Sequence, residues 1–349
     1  MHLVRLALVG WLLVGQSAAA EPGKAPRLFD SLEPLTIDLE ADWGVVQRDR
    51  SATPTPHPAK LSYVGPAGPV TLDIQVETRG RSRLRKSVCE FPPLLLDIPK
   101  EGRKGTLFRG IGELKLVTHC ERNVKYEQNV MLEYLLYRAY GLLTENAYKV
   151  RPLHVRYHDP GEAKAKIERF GFVIEDAADL AKRLGLSRIA ESTIDPALTD
   201  TAGAARVEMF LYMIAMTDFS MIAKPEGSCC HNVRMLRRAD GVLVPVPYDF
   251  DQTGVVDPIY ALPDPRLGIK KVTQRRFRGM CRAPGLHAAA IAQLRSKRDE
   301  IEALFLNQAG LAPARAKKAV KFLGEFYDWA ADSDRVTKTL NEECRQVAR

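Results

Sequence analysis

The order of hydrophobic patterns along this chain predicts an α+β fold, strand-rich in its N-terminal half and helical in its C-terminal half. Three observations predict it. Short apolar runs with period-two alternation, punctuated by Gly and Pro, occupy residues 61–117. A longer segment, 124–143, carries Val130, Tyr134 and Tyr137 on one face at helical spacing. From Leu286 onward the sequence is amphipathic, with helical stretches at 288–306 and 312–329.

Taken in order, residues 1–20 read as a secretory signal peptide. Arg5 is their only charge, an apolar run covers 6–15, and Ala18-Ala19-Ala20 offers the small side chains a signal peptidase needs. That run is shorter than the roughly twenty apolar residues that span a bilayer, and no later stretch is long and apolar enough. The expectation is an exported protein, periplasmic or extracellular, with a mature chain starting near Glu21 and no stable membrane span. Residues 21–60 are Pro-rich and polar, and are expected to form an extended lead-in with little regular structure.

Strands are expected at 61–64, 70–76, 94–96 and 114–117, then at 149–157 and 169–174 around the Asp159-Pro160-Gly161 turn. A short helix follows at 177–184 and a stronger one at 204–216, which ends at Thr217-Asp218. Two strands, 233–236 and 243–246, flank Asp240-Gly241 and deliver Asp249-Phe250-Asp251. The expected division is a strand-rich lobe with one long helix over 61–176, and a helical lobe over 177–349 that carries the acidic residues.

The formal charge of the chain is +8, of which Arg5 supplies one. Basic clusters lie at 79–86 and 270–278, but aromatic residues do not interleave with them, so no nucleic-acid module is expected. Six cysteines in an exported chain suggest up to three disulfides. Cys89 with Cys120 is the favoured pair, because both flank predicted strands; a bridge from Cys229 or Cys230 to Cys281 is the second expectation.

The chemistry concentrates between Met213 and Val256. Asp218 leaves a buried helix, Asn232 follows a loop, and a hairpin then presents Asp249 and Asp251. Oxygen ligands converging in this way suit Mg²⁺, which binds through one or two carboxylates plus substrate phosphates. Phosphoryl transfer needs that metal, an aspartate near the acceptor hydroxyl and a cation over the phosphates. Lys115, on a predicted strand, is the first candidate cation, with Glu127 or Glu133 of the following helix as its partner; a basic residue of 79–86 is the alternative phosphate contact.

This order of parts resembles the CotH-like atypical protein kinases. The likeness runs through Arg79-Gly80-Arg81-Ser82, Asn129, the strand Arg169-Phe170-Gly171-Phe172-Val173-Ile174-Glu175, Thr217-Asp218, His231-Asn232 and Pro247-Tyr248-Asp249-Phe250-Asp251, with Tyr248 where the family has Trp. The resemblance implies a two-lobed, protein-kinase-like fold braced by disulfides. It implies Asp218 as the acceptor-side aspartate, Asn232, Asp249 and Asp251 as metal ligands, and Lys115 and Glu175 on the nucleotide side. It implies Mg²⁺ or Mn²⁺ with ATP, and a protein or small-molecule hydroxyl as acceptor. The alternative is a catalytically silent kinase-like scaffold that binds a partner at the cell envelope.

Overall fold

The computed structural model describes residues 27–223 and 229–346; the predicted signal peptide lies outside them. Seven strands form one closed barrel: β1 (Leu35–Glu40), β2 (His57–Gly65), β3 (Gly68–Thr78), β4 (Leu94–Asp97), β5 (Glu113–Val117), β6 (Val150–His158) and β7 (Ile167–Ile174). Their order around the barrel is β1-β2-β3-β4-β5-β7-β6. Every neighbouring pair is antiparallel except β1 and β6, which run parallel from Leu35↔Leu153 to Glu40↔His158 and close the wall.

The strands follow from alternation, since successive side chains point to opposite faces. Leu61, Leu72, Ile74, Val76, Leu94, Leu96, Leu114 and Leu116 all face inward and are buried together. The expectation for 21–60 is corrected here. Leu35-Thr36-Ile37-Asp38-Leu39-Glu40 itself alternates, sending Ile37 and Leu39 into the barrel. A short helix, α1 (Trp43–Arg48), then buries Trp43 and Val46 in the same core. Arg151 of β6 fastens the segment ahead of β1, donating from Nε to Glu33 O and from Nη1 to Leu28 O.

Helix α2 (Glu127–Gly141) packs on β6 and β7 of the barrel and on α6 (Arg298–Leu306) of the other half. Every residue from Val130 to Tyr137 is buried, as expected of a helix enclosed on nearly all sides. The second core gathers around α2 and holds α3 (Ala177–Leu184), α4 (Thr201–Met213), α5 (Pro284–Ser296), α6 and α7 (Pro313–Ala330), with α8 (Ser333–Glu343) packed alongside. A small sheet of β8 (Ser187–Arg188), β9 (Val233–Arg237) and β10 (Leu243–Pro247) lies among these helices. The chain is thus a mixed α/β structure in which a strand-rich half precedes a helical one.

Three disulfides brace the described residues: Cys89–Cys120, Cys229–Cys230 and Cys281–Cys344. The first is the favoured pairing. The second expectation is corrected, because adjacent Cys229 and Cys230 bond to each other. Cys281 instead meets Cys344, since Cys281 N–H donates to Arg345 O and Arg345 N–H to Gly279 O, bringing the two Cα atoms to 4.9 Å. Three disulfides are compatible with an exported protein, and no described helix is long and apolar enough to cross a membrane.

Cys281–Cys344 joins positions 63 residues apart, so it removes many open conformations from the unfolded chain. Replacing both cysteines by Ala is expected to cost about 2–4 kcal/mol. Urea titration followed by circular dichroism should show a lower midpoint; an unchanged midpoint would contradict this role.

Candidate active site

The β9–β10 hairpin builds the centre of the site. Its ladder ends at Pro247↔Val233 and is extended by Tyr248 N–H donating to Asn232 O. Asn232 and Asp249 therefore leave the same end of the hairpin. Both take left-handed backbone conformations, with φ of 53° and 63°, which Asn and Asp tolerate better than most residues. Asp249 N–H donates to Tyr137 Oη of α2 at 2.9 Å. Phe250, fully buried against Tyr137 and Phe210, sets Asp249 and Asp251 on either side of it.

Asp218 follows the end of α4. Asn232 Nδ2 donates to its backbone oxygen at 2.7 Å, and its carboxylate pairs with His231 Nε2 at 2.9 Å. Arg278 donates to the neighbouring Thr217 oxygen. The His231 hydrogen bond holds the Asp218 carboxyl below its ordinary range, while 57% of the side chain stays open to solvent.

Across from the hairpin stand groups from the barrel half. Arg83, in the loop after β3, is buried among three carboxylates: Asp251 at 3.4 Å, and Asp249 and Glu133 each at 3.9 Å. Burial opposes the Arg83 charge, but Asp251, Tyr260, Glu133 and Asp249 together raise its pKa. Burial in turn pushes Asp251 up to about 6 and Glu133 to about 8, against the pull of Arg83. Tyr260 donates to Asp251 Oδ2 at 3.1 Å. Lys115 extends from β5 into the same field; burial and then Arg79 lower its pKa, while Asp176 and Asp249 act in the opposite direction.

The predicted residues therefore divide. Asp218, Asn232, Asp249 and Asp251 come together, and of these Asp249 acts electrostatically on Lys115. Glu175 does not join them: Arg183 donates to both its carboxylate oxygens at 2.8 Å, and Lys149 N–H donates to one at 3.1 Å. Neither candidate partner of Lys115 pairs with it, since Glu133 lies against Arg83 and Glu127 against Arg169. Asn129 accepts from Arg315 of α7. Sequence reading placed Arg83 only within the basic run 79–86 and Tyr137 only on the apolar face of the 124–143 helix, giving neither a site role, and it did not single out Tyr260.

No protein-family model matches the chain, and no curated protein matches it. Among solved structures it is similar to the proinflammatory kinase CtkA of Helicobacter pylori. The two are 10% identical, and the match covers 70% of this chain and 92% of that one with a TM-score of 0.39. A likeness at that level decides neither fold nor chemistry, so the residues themselves must.

Those residues fit a Mg²⁺–phosphate group at one position. Asp249 keeps 47% of its side chain exposed, and its nearest cation is at 3.9 Å, outside hydrogen-bonding range. Asn232 uses its amide nitrogen on Asp218, which leaves its carbonyl oxygen outside those bonds. Arg79 lowers the pKa of Lys115, and its own is lowered by burial and then by Arg83; its buried Nε has no hydrogen-bond partner among the described residues and so could donate to a phosphate oxygen. Asp251 fits a metal less well, because Arg83 and Tyr260 already engage its oxygen. Among the described residues no three His, Cys, Asp or Glu side chains are grouped to hold an ion by themselves.

Glu133 carries a testable consequence. Its folded pKa is raised, so the folded protein keeps a proton that the unfolded chain loses above about pH 4.5, and stability falls as pH rises toward 8. Asp251 contributes the same sign between its ordinary value of 3.8 and about 6. Between pH 6 and 8 the metal-free protein should lose ~1–3 kcal/mol more than Glu133→Gln, whose side chain stays neutral. Urea midpoints at the two pH values check this; equal losses would show that Glu133 is ionised throughout.

Proposed function

We propose that this chain is a kinase-like phosphotransferase of the CotH-like kind, exported, and dependent on Mg²⁺ or Mn²⁺ with ATP. The observation that supports the reading is the convergence of Asp218, Asn232 and Asp249 at one end of the β9–β10 hairpin, with Lys115 of the barrel within the electrostatic influence of Asp249. Asp249 and Asn232 would hold the metal, and Asp251 would steady Asp249 through their shared neighbour Arg83. The bound metal and nucleotide supply a phosphoryl group whose negative charge is neutralised at the site.

The chain's own groups have separable tasks. Lys115 and Arg79 orient phosphate oxygens and offset their charge. Asp218 is ionised at neutral pH as an aspartate ordinarily is, with the His231 hydrogen bond lowering its pKa further, and it is exposed, so it can orient an incoming hydroxyl and accept its proton. The acceptor is a protein or small-molecule hydroxyl. Glu175 ties the end of β7 to α3 through Arg183, fixing the crossing between the two halves; this structural task replaces the nucleotide-side role that the family resemblance implied.

A ligand that binds only the folded state raises apparent stability by about 2.7 kcal/mol at a hundredfold excess over its dissociation constant. Mg²⁺ with ATP should therefore raise the thermal midpoint of the wild type and fail to do so for Asp249→Asn. Asp218→Asn should keep the shift but transfer no label from γ-labelled ATP. Absence of any shift with nucleotide and either metal would sink this reading in favour of a silent envelope scaffold.

A further inference from the structure

After Asp251 the chain crosses the helical half in an irregular segment, and between its residues 254–273 and α7 lies a cavity of about 640 Å³. Its floor is apolar, made by buried Val255 and Val272 with Phe322 of α7. The segment lies hard against the helix at Gly254, where an added Cβ would meet Ala215 Cβ and Phe322 Cζ at 2.8 Å.

The rim is cationic from both walls. Lys270 and Lys271 come from the segment; Lys318 and Lys321 come from α7, three residues apart and so on one face. The two acids of the lining are already matched, Asp257 with Lys318 at 3.0 Å and Glu325 with Arg275 at 3.2 Å. Lys270, Lys271 and Lys321 are left with no carboxylate in ion-pair range among the described residues. Beside them Ile259 and Leu262 each keep 82% of their surface exposed, although both are large aliphatic residues.

We propose that this groove docks a polypeptide segment rich in Asp or Glu that also carries aliphatic side chains. Its carboxylates would meet the three unmatched lysines, and its aliphatic residues would cover Ile259 and Leu262. A nucleic acid or polyphosphate would satisfy the charges but leave those two side chains in water. The groove is a binding site in its own right, and its occupation does not depend on phosphotransfer. Because it lies on the segment leaving Asp251, it would hold its peptide on the chain that borders the acidic cleft.

The test is fluorescence anisotropy with a short labelled peptide of Glu residues carrying a pair of Leu. Saturable binding is expected, weakened about tenfold by the triple change Lys270→Glu, Lys271→Glu and Lys321→Glu, since several exposed ion pairs are reversed together. Ile259→Ser with Leu262→Ser should weaken it several-fold, and replacing the peptide's Leu by Ser should do the same. All replaced side chains are exposed, so thermal midpoints should hold; Lys321→Gln alone is the milder variant if the triple one does not fold. Asp249→Asn should bind the peptide as the wild type does, which separates this site from the metal site. Three results would overturn the proposal: no saturable binding, equal binding by the charge-reversed variant, or equal binding by the Leu-free peptide with displacement by polyphosphate.

Discussion

One buried guanidinium organises the meeting of the two halves. Arg83 belongs to the barrel, yet its neighbours are Glu133 of α2 and Asp249 and Asp251 of the segment after β10. Removing a charged partner from such a cluster costs far more than the cluster contributes when intact, because the remaining buried charge is left uncompensated. The arrangement therefore acts as a geometric constraint: the loop after β3, helix α2 and the hairpin end can coexist only in the relation that shares Arg83. Phe250 supports the same relation from the apolar side by packing on Tyr137 and Phe210.

The cluster also explains why two aspartates separated by one residue differ. Asp251 is buried, hydrogen-bonded by Tyr260 and pushed up in pKa, whereas Asp249 is half-exposed and lies beyond hydrogen-bonding distance of Arg83. One is held by the protein; the other remains available to an external cation. Asp218 is different again, exposed and kept acidic by His231. Three neighbouring carboxylates thereby occupy three electrostatic environments.

Much of the barrel was legible because alternation is a local signal: 61–64, 70–76, 94–96 and 114–117 all fall within strands β2 to β5. Helix 177–184 was legible from its periodicity, and Asp176 caps it while Gly185 ends it in a left-handed turn. Asn232 and Asp249 were readable together because one hairpin links them, whereas Asp218 is joined to Asn232 across a longer connection and meets it through a hydrogen bond. What was not readable depends on distant partners. Strand β1 carried a local alternation that the surrounding Pro-rich stretch masked, and only its parallel partner β6 lay beyond reading because it is far along the chain. Cys281 could not be matched to Cys344 without the backbone pairing around Gly279 and Arg345. Glu175 looked like a site residue until Arg183, eight positions later, was seen to hold both its oxygens.

The parallel union of β1 with β6 has a consequence for the order of assembly. Among the described strands β1 is made earliest, and it pairs on one side with β2, soon after it, but on the other with β6, made much later. Until β6 arrives, β1 presents an unpaired edge, the kind of surface on which foreign strands add. The barrel therefore stays open and prone to aggregation even after β6 has joined β1, and it closes only when β7, ending at Ile174, pairs with both β5 and β6.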